Sequence, residues 1–91
     1  MKSLDITIWD SSPRRIAAIE RNLHQAAAHE GVRLRIDVMS ELPLLGRRNL
    51  EGKVPVLEIA GKFWSLRPFD IFTEAECLTL LRALAGRARE G

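Results

Sequence analysis

The sequence predicts one small α/β domain built on a four-stranded mixed sheet. Residues 4–38 read as strand, amphipathic helix and strand, which is the order of a right-handed parallel crossover. Ala60-Gly61 separates two further strand-like segments, and such a two-residue connection favours an antiparallel hairpin. A second amphipathic segment follows the hairpin, so helices are available to cover the sheet. The predicted order is therefore β-α-β followed by β-β-α.

Length and composition limit the classes of protein that fit. A chain of 91 residues forms one domain over residues 1–91, with an ordered core over about residues 4–85. The apolar fraction of 46% and the charged fraction of 29% exclude disorder for most of the chain. No apolar run approaches the roughly 18 residues of a membrane span, and we expect no signal peptide because residues 1–5 carry no long apolar segment. We therefore expect a cytoplasmic protein without a membrane partner.

The charge balance and the cysteine count exclude further classes. Fourteen basic and 12 acidic residues give a net charge of +2, which is too balanced to predict nucleic-acid binding. Cys77 is the single cysteine, so an intrachain disulfide and a Cys-x-x-Cys redox pair are both excluded. His24 and His29 lie five residues apart on one predicted helix and do not face each other. We therefore predict no metal site.

The first half of the chain follows a clear pattern. Residues 4–9 (LDITIW) alternate apolar and polar side chains, which predicts a strand. Ser12 is the best N-cap of a helix over residues 13–30, Pro13 suits its first position, and Gly31 suits its C-terminal cap. The apolar face of this helix comprises Ile16, Ile19, Leu23, Ala26 and Ala27. Residues 32–38 alternate again, with one charged face, which is typical of an edge strand.

The second half is less regular at its beginning. Residues 40–45 favour one helical turn within an otherwise loop-like segment over residues 39–53. Residues 54–59 and 62–66 are the strands of the hairpin, and residues 67–72 form an extended connector. Thr73 and Glu76 make a capping box for a helix that is predicted to run to about Ala85 and to end at Gly86. Residues 87–91 are then a frayed basic tail.

Two stretches of the chain resemble a known superfamily. Residues 8–15 (IWDSSPRR) run from a strand into a helix start, and residues 52–62 (GKVPVLEIAGK) form a proline-containing strand and hairpin. They are similar to the thioredoxin-like superfamily in its short glutaredoxin-like form, and the second stretch also looks like the N-terminal domains of glutathione transferases. Residues 66–70 (LRPFD) add a resemblance to small bacterial glutaredoxin-like proteins. The resemblance implies a thioredoxin-like fold with a cis bond before Pro55, which leaves the Val54 backbone free to pair with a peptide or glutathione.

The chain departs from this superfamily where its redox chemistry is expected. Ser12 lies where the resemblance places the nucleophilic cysteine, and Arg15 lies where it places the resolving one. A shift of one residue puts Ser11 at the nucleophile position instead, and neither register supplies sulfur. Thiol–disulfide exchange requires an attacking thiolate, which a serine hydroxyl without an adjacent base does not replace. We therefore expect no catalytic residue and no oxidoreductase activity.

The candidate binding site lies where the first helix begins. It comprises Trp9, Ser11, Ser12, Arg14 and Arg15, with Val54 and Pro55 opposite. The two arginines oppose the helix dipole, so an outside anionic partner is one explanation for them. Each residue also has an ordinary structural interpretation: Ser12 as an N-cap, Pro55 as a strand start, and Trp9 and Trp64 as packing residues. Cys77 is expected in the core, and Arg47, Arg48 and Lys53 are either an anion-binding rim or a solvated loop.

Three functional hypotheses follow from this site. The first is a redox-inactive thioredoxin-like module that retains the groove around Ser12, Val54 and Pro55 for a protein or peptide partner. The second is a glutathione- or thiol-binding protein of the glutaredoxin or glutathione-transferase type; apart from glutathione under this hypothesis, no cofactor is expected. The third is a structural or assembly subunit that pairs with another chain through the sheet edge at residues 32–38.

Overall fold

The computed structural model describes the backbone of residues 3–90 and the side chains of residues 3–84. Within these residues the chain forms a small α/β fold with a four-stranded mixed open sheet and three helices. The elements are β1 (Ser3–Trp9), α1 (Pro13–Glu30), β2 (Arg33–Met39), α2 (Leu42–Arg47), β3 (Val56–Ile59), β4 (Lys62–Trp64) and α3 (Glu74–Glu90). The strand order is β2-β1-β3-β4, with β1 and β2 parallel and the other neighbours antiparallel. The predicted edge position of β2 is confirmed.

The main hydrophobic core lies between one face of the sheet and helices α1 and α3. Ile6 pairs with Ile36 on β2 and with Ile59 on β3, and Ile8 pairs with Leu57, so alternate residues of the central strand share this face. The core residues from both helices include Ile19, Leu23, Cys77 and Leu81, all of which are fully buried.

Helix α1 has the predicted bounds, and its two ends explain them. The Ser12 hydroxyl accepts a hydrogen bond from the Arg15 backbone N–H at 3.3 Å, which is the expected N-cap contact. Gly31 adopts a left-handed conformation with φ of 64°, and its N–H reaches the Ala27 carbonyl. Glycine adopts this conformation without the steric cost of a Cβ atom, so the helix ends here.

The hairpin between β3 and β4 is a two-residue turn. Ala60 and Gly61 have φ angles of 54° and 77°, and they lie between the paired residues Ile59 and Lys62. Positive φ at both central positions matches the twist of the flanking strands in a hairpin. The strands are shorter than predicted, because β3 begins after Pro55 and β4 ends at Trp64.

Helix α3 begins as predicted and ends later. The Thr73 hydroxyl accepts from the Glu76 N–H at 3.2 Å, and the Glu76 carboxylate accepts from the Thr73 N–H at 2.9 Å, so the capping box is confirmed. The predicted end at Gly86 is wrong, because the helix continues to Glu90. A glycine inside a helix costs only about 1 kcal/mol, which the neighbouring turns tolerate. Gly91, the last residue of the predicted tail, lies outside the described residues.

The second face of the sheet is only partly covered. Helix α2, the helical turn predicted near residues 40–45, packs Leu45 into a smaller cluster with Trp9, Leu50, Val54 and Val56. The remainder of this face carries exposed side chains, among them Asp5, Arg33, Arg35 and Asp37. No helix in the described part of the chain is long and apolar enough to cross a membrane.

Candidate binding site at the start of helix α1

A buried carboxylate, Asp10, occupies the junction between β1 and α1. Its side chain is 0% exposed and accepts hydrogen bonds from the backbone N–H groups of Ser11 at 2.7 Å and Ser12 at 3.2 Å. The Arg15 guanidinium donates two further bonds, each 2.8 Å long, one to each carboxylate oxygen. Asp10 is therefore the anion at this helix start, and it is supplied by the chain itself.

The Asp10–Arg15 pair corrects one expectation from the sequence. Arg15 does not need an outside partner to offset its unfavourable position on the helix dipole, because Asp10 neutralises it internally. The hydrogen bond from Arg15 to Asp10 raises the pKa of the guanidinium above its ordinary value. Arg14 is exposed and forms no ion pair among the described side chains, so of the two arginines only Arg14 would gain from an outside anion.

Trp9 is a packing residue of the smaller cluster. It is 5% exposed, its indole N–H donates to the Glu58 carboxylate at 2.9 Å, and the Arg48 guanidinium lies 5.6 Å from its ring centre. Of the two interpretations of Trp9 that the sequence left open, the structure shows the packing role. Trp64 is half-buried, and its indole N–H has no hydrogen-bond partner within the described residues.

The Val54–Pro55 bond is cis, and both residues are buried. The Val54 carbonyl accepts a hydrogen bond of 2.7 Å from the Phe69 backbone N–H. The expectation that the Val54 backbone is free to pair with a ligand is therefore wrong for its carbonyl. The chain's own connector occupies that hydrogen-bonding position.

Phe69 brings the two halves of the predicted site together. Its N–H binds Val54, and the Arg15 guanidinium lies 5.8 Å from the centre of its ring, within the range of a cation–π contact. Its φ angle is 62°, an uncommon value for a bulky residue, and its side chain is 61% exposed. The sequence predicts only an extended connector over residues 67–72, so Phe69 was not among the expected site residues.

Arg67 fixes the connector that carries Phe69. Its guanidinium donates to Asp70 at 3.2 Å, to the Ile71 carbonyl at 3.1 Å and, through two nitrogens, to both oxygens of the Glu76 carboxylate. The Arg67 guanidinium lowers the pKa of Glu76 from 4.5 to about 2. These hydrogen bonds connect the loop before α3 to the first turn of that helix, so they fix the position of the segment that carries Phe69.

Large apolar side chains are exposed at the same end of the sheet. The parallel strands β1 and β2 both end there, β3 begins there and β4 ends there. We call this set the exposed apolar end: Val38 (39% exposed), Met39 (38%), Leu42 (65%), Leu66 (53%) and Phe69 (61%). Met39 is directly linked to the candidate site, because its carbonyl accepts the Asp10 N–H at 3.2 Å.

Cys77 offers no accessible thiol. It is 0% exposed, its sulfur lies 4.0 Å from the Phe72 carbonyl oxygen, and burial raises the pKa of the thiol to about 12. A thiol that remains protonated at neutral pH is a poor nucleophile.

Comparison of the chain with protein-family models, with curated proteins and with solved structures finds no match.

Proposed function

We propose that this protein is a redox-inactive binding module with a thioredoxin-like fold, and that it takes a protein partner at the exposed apolar end. The observation that carries the proposal is Phe69, which is 61% exposed yet held by a backbone bond to Val54 and by Arg15. An aromatic side chain that is exposed and already ordered costs little entropy to bury against a partner. Aromatic anchors of this kind dominate many protein interfaces.

The strand order supports the thioredoxin-like part of the proposal. A β-α-β unit with parallel β1 and β2 is followed by an antiparallel hairpin and a last helix, which is the order that the resemblance implies. The cis bond before Pro55 and the helix start at Ser12 also agree with it. The redox-inactive part is supported by the single cysteine, whose thiol is buried and protonated.

The partner is expected to bind the side chains at this end rather than to pair with the groove backbone. The Val54 carbonyl is already bonded to Phe69, so an incoming strand would have to displace the connector. Leu42, Leu66 and Phe69 instead offer apolar contact area without any rearrangement. Arg14 adds one exposed positive charge beside the site, so we expect the partner to present an apolar segment with an acidic neighbour.

A peptide selection tests this proposal. Random peptides displayed on phage are selected against the wild-type chain, and the enriched peptides are measured against the double variant Leu66→Ser, Phe69→Ser. We expect at least a tenfold loss of affinity, or about 1.4 kcal/mol. Phe63→Ser is the matched control, because Phe63 is also an exposed aromatic residue but lies on the hairpin. Peptides that bind the double variant as tightly as the wild type contradict the proposal.

Glutathione binding is the weaker of the remaining alternatives. Asp10 already accepts the backbone N–H groups of Ser11 and Ser12, which a thiolate or carboxylate of glutathione would otherwise bind, and the Val54 carbonyl is occupied by Phe69. Both observations work against that ligand. A titration with glutathione, followed by amide chemical shifts at Ser11, Ser12 and Val54, separates this alternative from protein binding.

Assembly through β2 remains a second candidate function. β2 lies at the edge of the sheet and is seven residues long, so its outer backbone groups can pair with another strand. Its exposed Arg33, Arg35 and Asp37 are side chains of the kind that discourage indiscriminate edge pairing. Measurement of the molecular mass in solution over a range of concentrations tests this candidate, and the mass of a single chain at every concentration contradicts it.

A further inference from the structure

A second concave site lies on the partly covered face of the sheet. It is a cavity of about 380 Å³ between the loop that follows α2 and the β3–β4 hairpin. Its lining residues are Arg48, Leu50, Lys53, Val56, Phe63 and Ser65. Cavities of a few hundred Å³ with mainly apolar walls and a few polar groups are typical of small-molecule sites.

The floor and one wall of the cavity are apolar and well packed. Leu50 and Val56 are 7% and 2% exposed and belong to the same cluster as Trp9. Phe63 is 44% exposed and contacts Trp9 with ring centres 6.4 Å apart and planes tilted by 56°. The cavity therefore offers an aromatic surface that is supported from behind but open to a ligand.

The rim of the cavity carries positive charge that the chain does not neutralise. The Arg48 guanidinium lies 5.6 Å from the centre of the Trp9 ring, and the backbone N–H of Lys53 donates to the Leu50 carbonyl at 2.9 Å, which fixes the loop that carries both residues. Neither Arg48 nor Lys53 forms an ion pair with any side chain that the structure describes. Two unneutralised cations beside an apolar cavity favour an anionic ligand.

The acidic residues of this region do not supply the missing partner. Glu58, on the same sheet face, accepts the Trp9 indole N–H at 2.9 Å. Glu51, in the loop itself, directs its carboxylate toward Gly46, because a Cβ atom built there would lie 2.9 Å from the Glu51 Oε1 atom. Among the described side chains, neither carboxylate forms an ion pair with Arg48 or Lys53, so the two cations remain available to a ligand.

We propose that this cavity binds a small aromatic carboxylate. Its ring would lie against Phe63, Leu50 and Val56, and its carboxylate would lie between Arg48 and Lys53 with the Ser65 hydroxyl as an additional donor. A guanidinium and a carboxylate form strong charge-assisted hydrogen bonds, and the ring supplies apolar contact area. This cavity shares no residue with the exposed apolar end, so the proposed ligand site can be tested independently of the proposed function.

An NMR titration with benzoate tests the proposal on the intact chain. We expect saturable shifts of the Trp9 indole N–H and the amides of Phe63 and Ser65, with a Kd on the order of 1 mM. Benzyl alcohol, which has the same ring without the charge, is the ligand control and is expected to bind at least tenfold more weakly. Trp64→Phe assigns the indole signal of Trp9 without changing the cavity lining.

Matched charge variants complete the experiment. Lys53→Met, and Arg48→Met combined with Lys53→Met, are expected to weaken benzoate binding by about tenfold or more, since each removes a cation from the rim. Arg47→Met combined with Lys62→Met removes two exposed charges outside the lining and is expected to leave binding unchanged. Because Lys53→Met leaves the Arg48–Trp9 contact in place, it remains informative if the double variant unfolds. Equal binding of benzyl alcohol, shifts that do not saturate, or equal weakening by the control pair overturns the proposal.

Discussion

Helices α1 and α3 begin with the same kinds of group in opposite arrangements. At α1 the carboxylate, Asp10, precedes the helix and the arginine, Arg15, lies in its first turn. At α3 the arginine, Arg67, precedes the helix and the carboxylate, Glu76, lies in its first turn. The two starts also differ in burial, because the Asp10 side chain is 0% exposed and the Glu76 side chain is 25% exposed.

The difference separates a helix start that is stabilised by local electrostatics from one that depends on a buried tertiary contact. Glu76 in the first turn agrees with the helix dipole, so the start of α3 is favourable before any tertiary contact forms. Arg15 opposes the dipole, so the start of α1 depends on the buried carboxylate that the preceding strand positions. We therefore expect the two starts to respond very differently to the loss of one partner.

The largest expected effect is the loss of Arg15. Arg15→Met leaves Asp10 buried without a counter-ion, which is expected to destabilise the fold by about 3–5 kcal/mol. Arg67→Met removes an exposed partner, so it is expected to cost far less. Urea unfolding of the two single variants measures the difference in their free energies of unfolding. The double variant that combines Asp10→Asn with Arg15→Met is expected to recover part of the stability lost in Arg15→Met. Equal costs for the two single changes would mean that burial does not separate the helix starts.

The two capping hydroxyls are expected to contribute equally. Ser12→Ala and Thr73→Ala each remove one side-chain acceptor of a first-turn N–H, at 3.3 Å and 3.2 Å, and each is expected to cost about 1 kcal/mol. Ser11→Ala is the control, because the Ser11 side chain is exposed and is not part of the cap; its effect is expected within about 0.5 kcal/mol of zero. A Ser12→Ala cost near zero indicates that Asp10 alone satisfies this helix start.

The start of α3 is expected to depend on pH. The pKa of Glu76 is lowered from 4.5 to about 2 by Arg67, so the folded state binds its proton more weakly than the unfolded state. The stability that this carboxylate contributes is therefore complete above pH 4.5 and is lost as the pH falls toward about 2. The effect is modest because water screens the pair. Carboxyl-carbon NMR of Glu76 measures its pKa, and Glu76→Gln is expected to flatten the stability profile in this range.

The smallest expected effect separates Arg14 from its neighbour. Arg14→Glu places a negative charge in the first turn of α1 and is expected to stabilise the fold by a few tenths of a kcal/mol. Arg15→Glu is expected to destabilise it strongly, because it places a second carboxylate against Asp10. Thermal unfolding of both variants gives the two signs. A destabilised Arg14→Glu variant would assign Arg14 a packing role at this helix start.

The sequence predicted those features whose signals are local. The bounds of α1, the turn at Ala60-Gly61 and the Thr73–Glu76 capping box each depend on residues within a few positions of one another, and the structure confirms them. That the residues at the start of α1 bind a partner stays a prediction. The buried carboxylate Asp10 was not among the predicted site residues, although an aspartate two residues before an N-cap and five residues before an arginine is a usable signal for the pair.

The remaining features depend on contacts between distant parts of the chain. The backbone hydrogen bond from Phe69 to Val54 joins residues 15 positions apart, and no sequence pattern around either residue predicts it. Trp9 and Glu58 are 49 positions apart, so the burial of Trp9 was visible only as one of two alternatives. The end of α3 was misplaced because Gly86 is a common helix terminator, and composition alone does not show when a helix continues through one.

The Asp10–Arg15 pair also restricts how this chain could change over many generations. Arg15 lies where the resemblance places the second cysteine. A mutation of Arg15 alone leaves the fully buried Asp10 without a counter-ion, and this removes a large share of a typical folding free energy of about 5–15 kcal/mol. A mutation of Asp10 first is milder, because the Arg15 side chain is 24% exposed and can turn to water. The pair thus sets an order of substitution: Arg15 can be replaced at low cost only after Asp10 has been replaced.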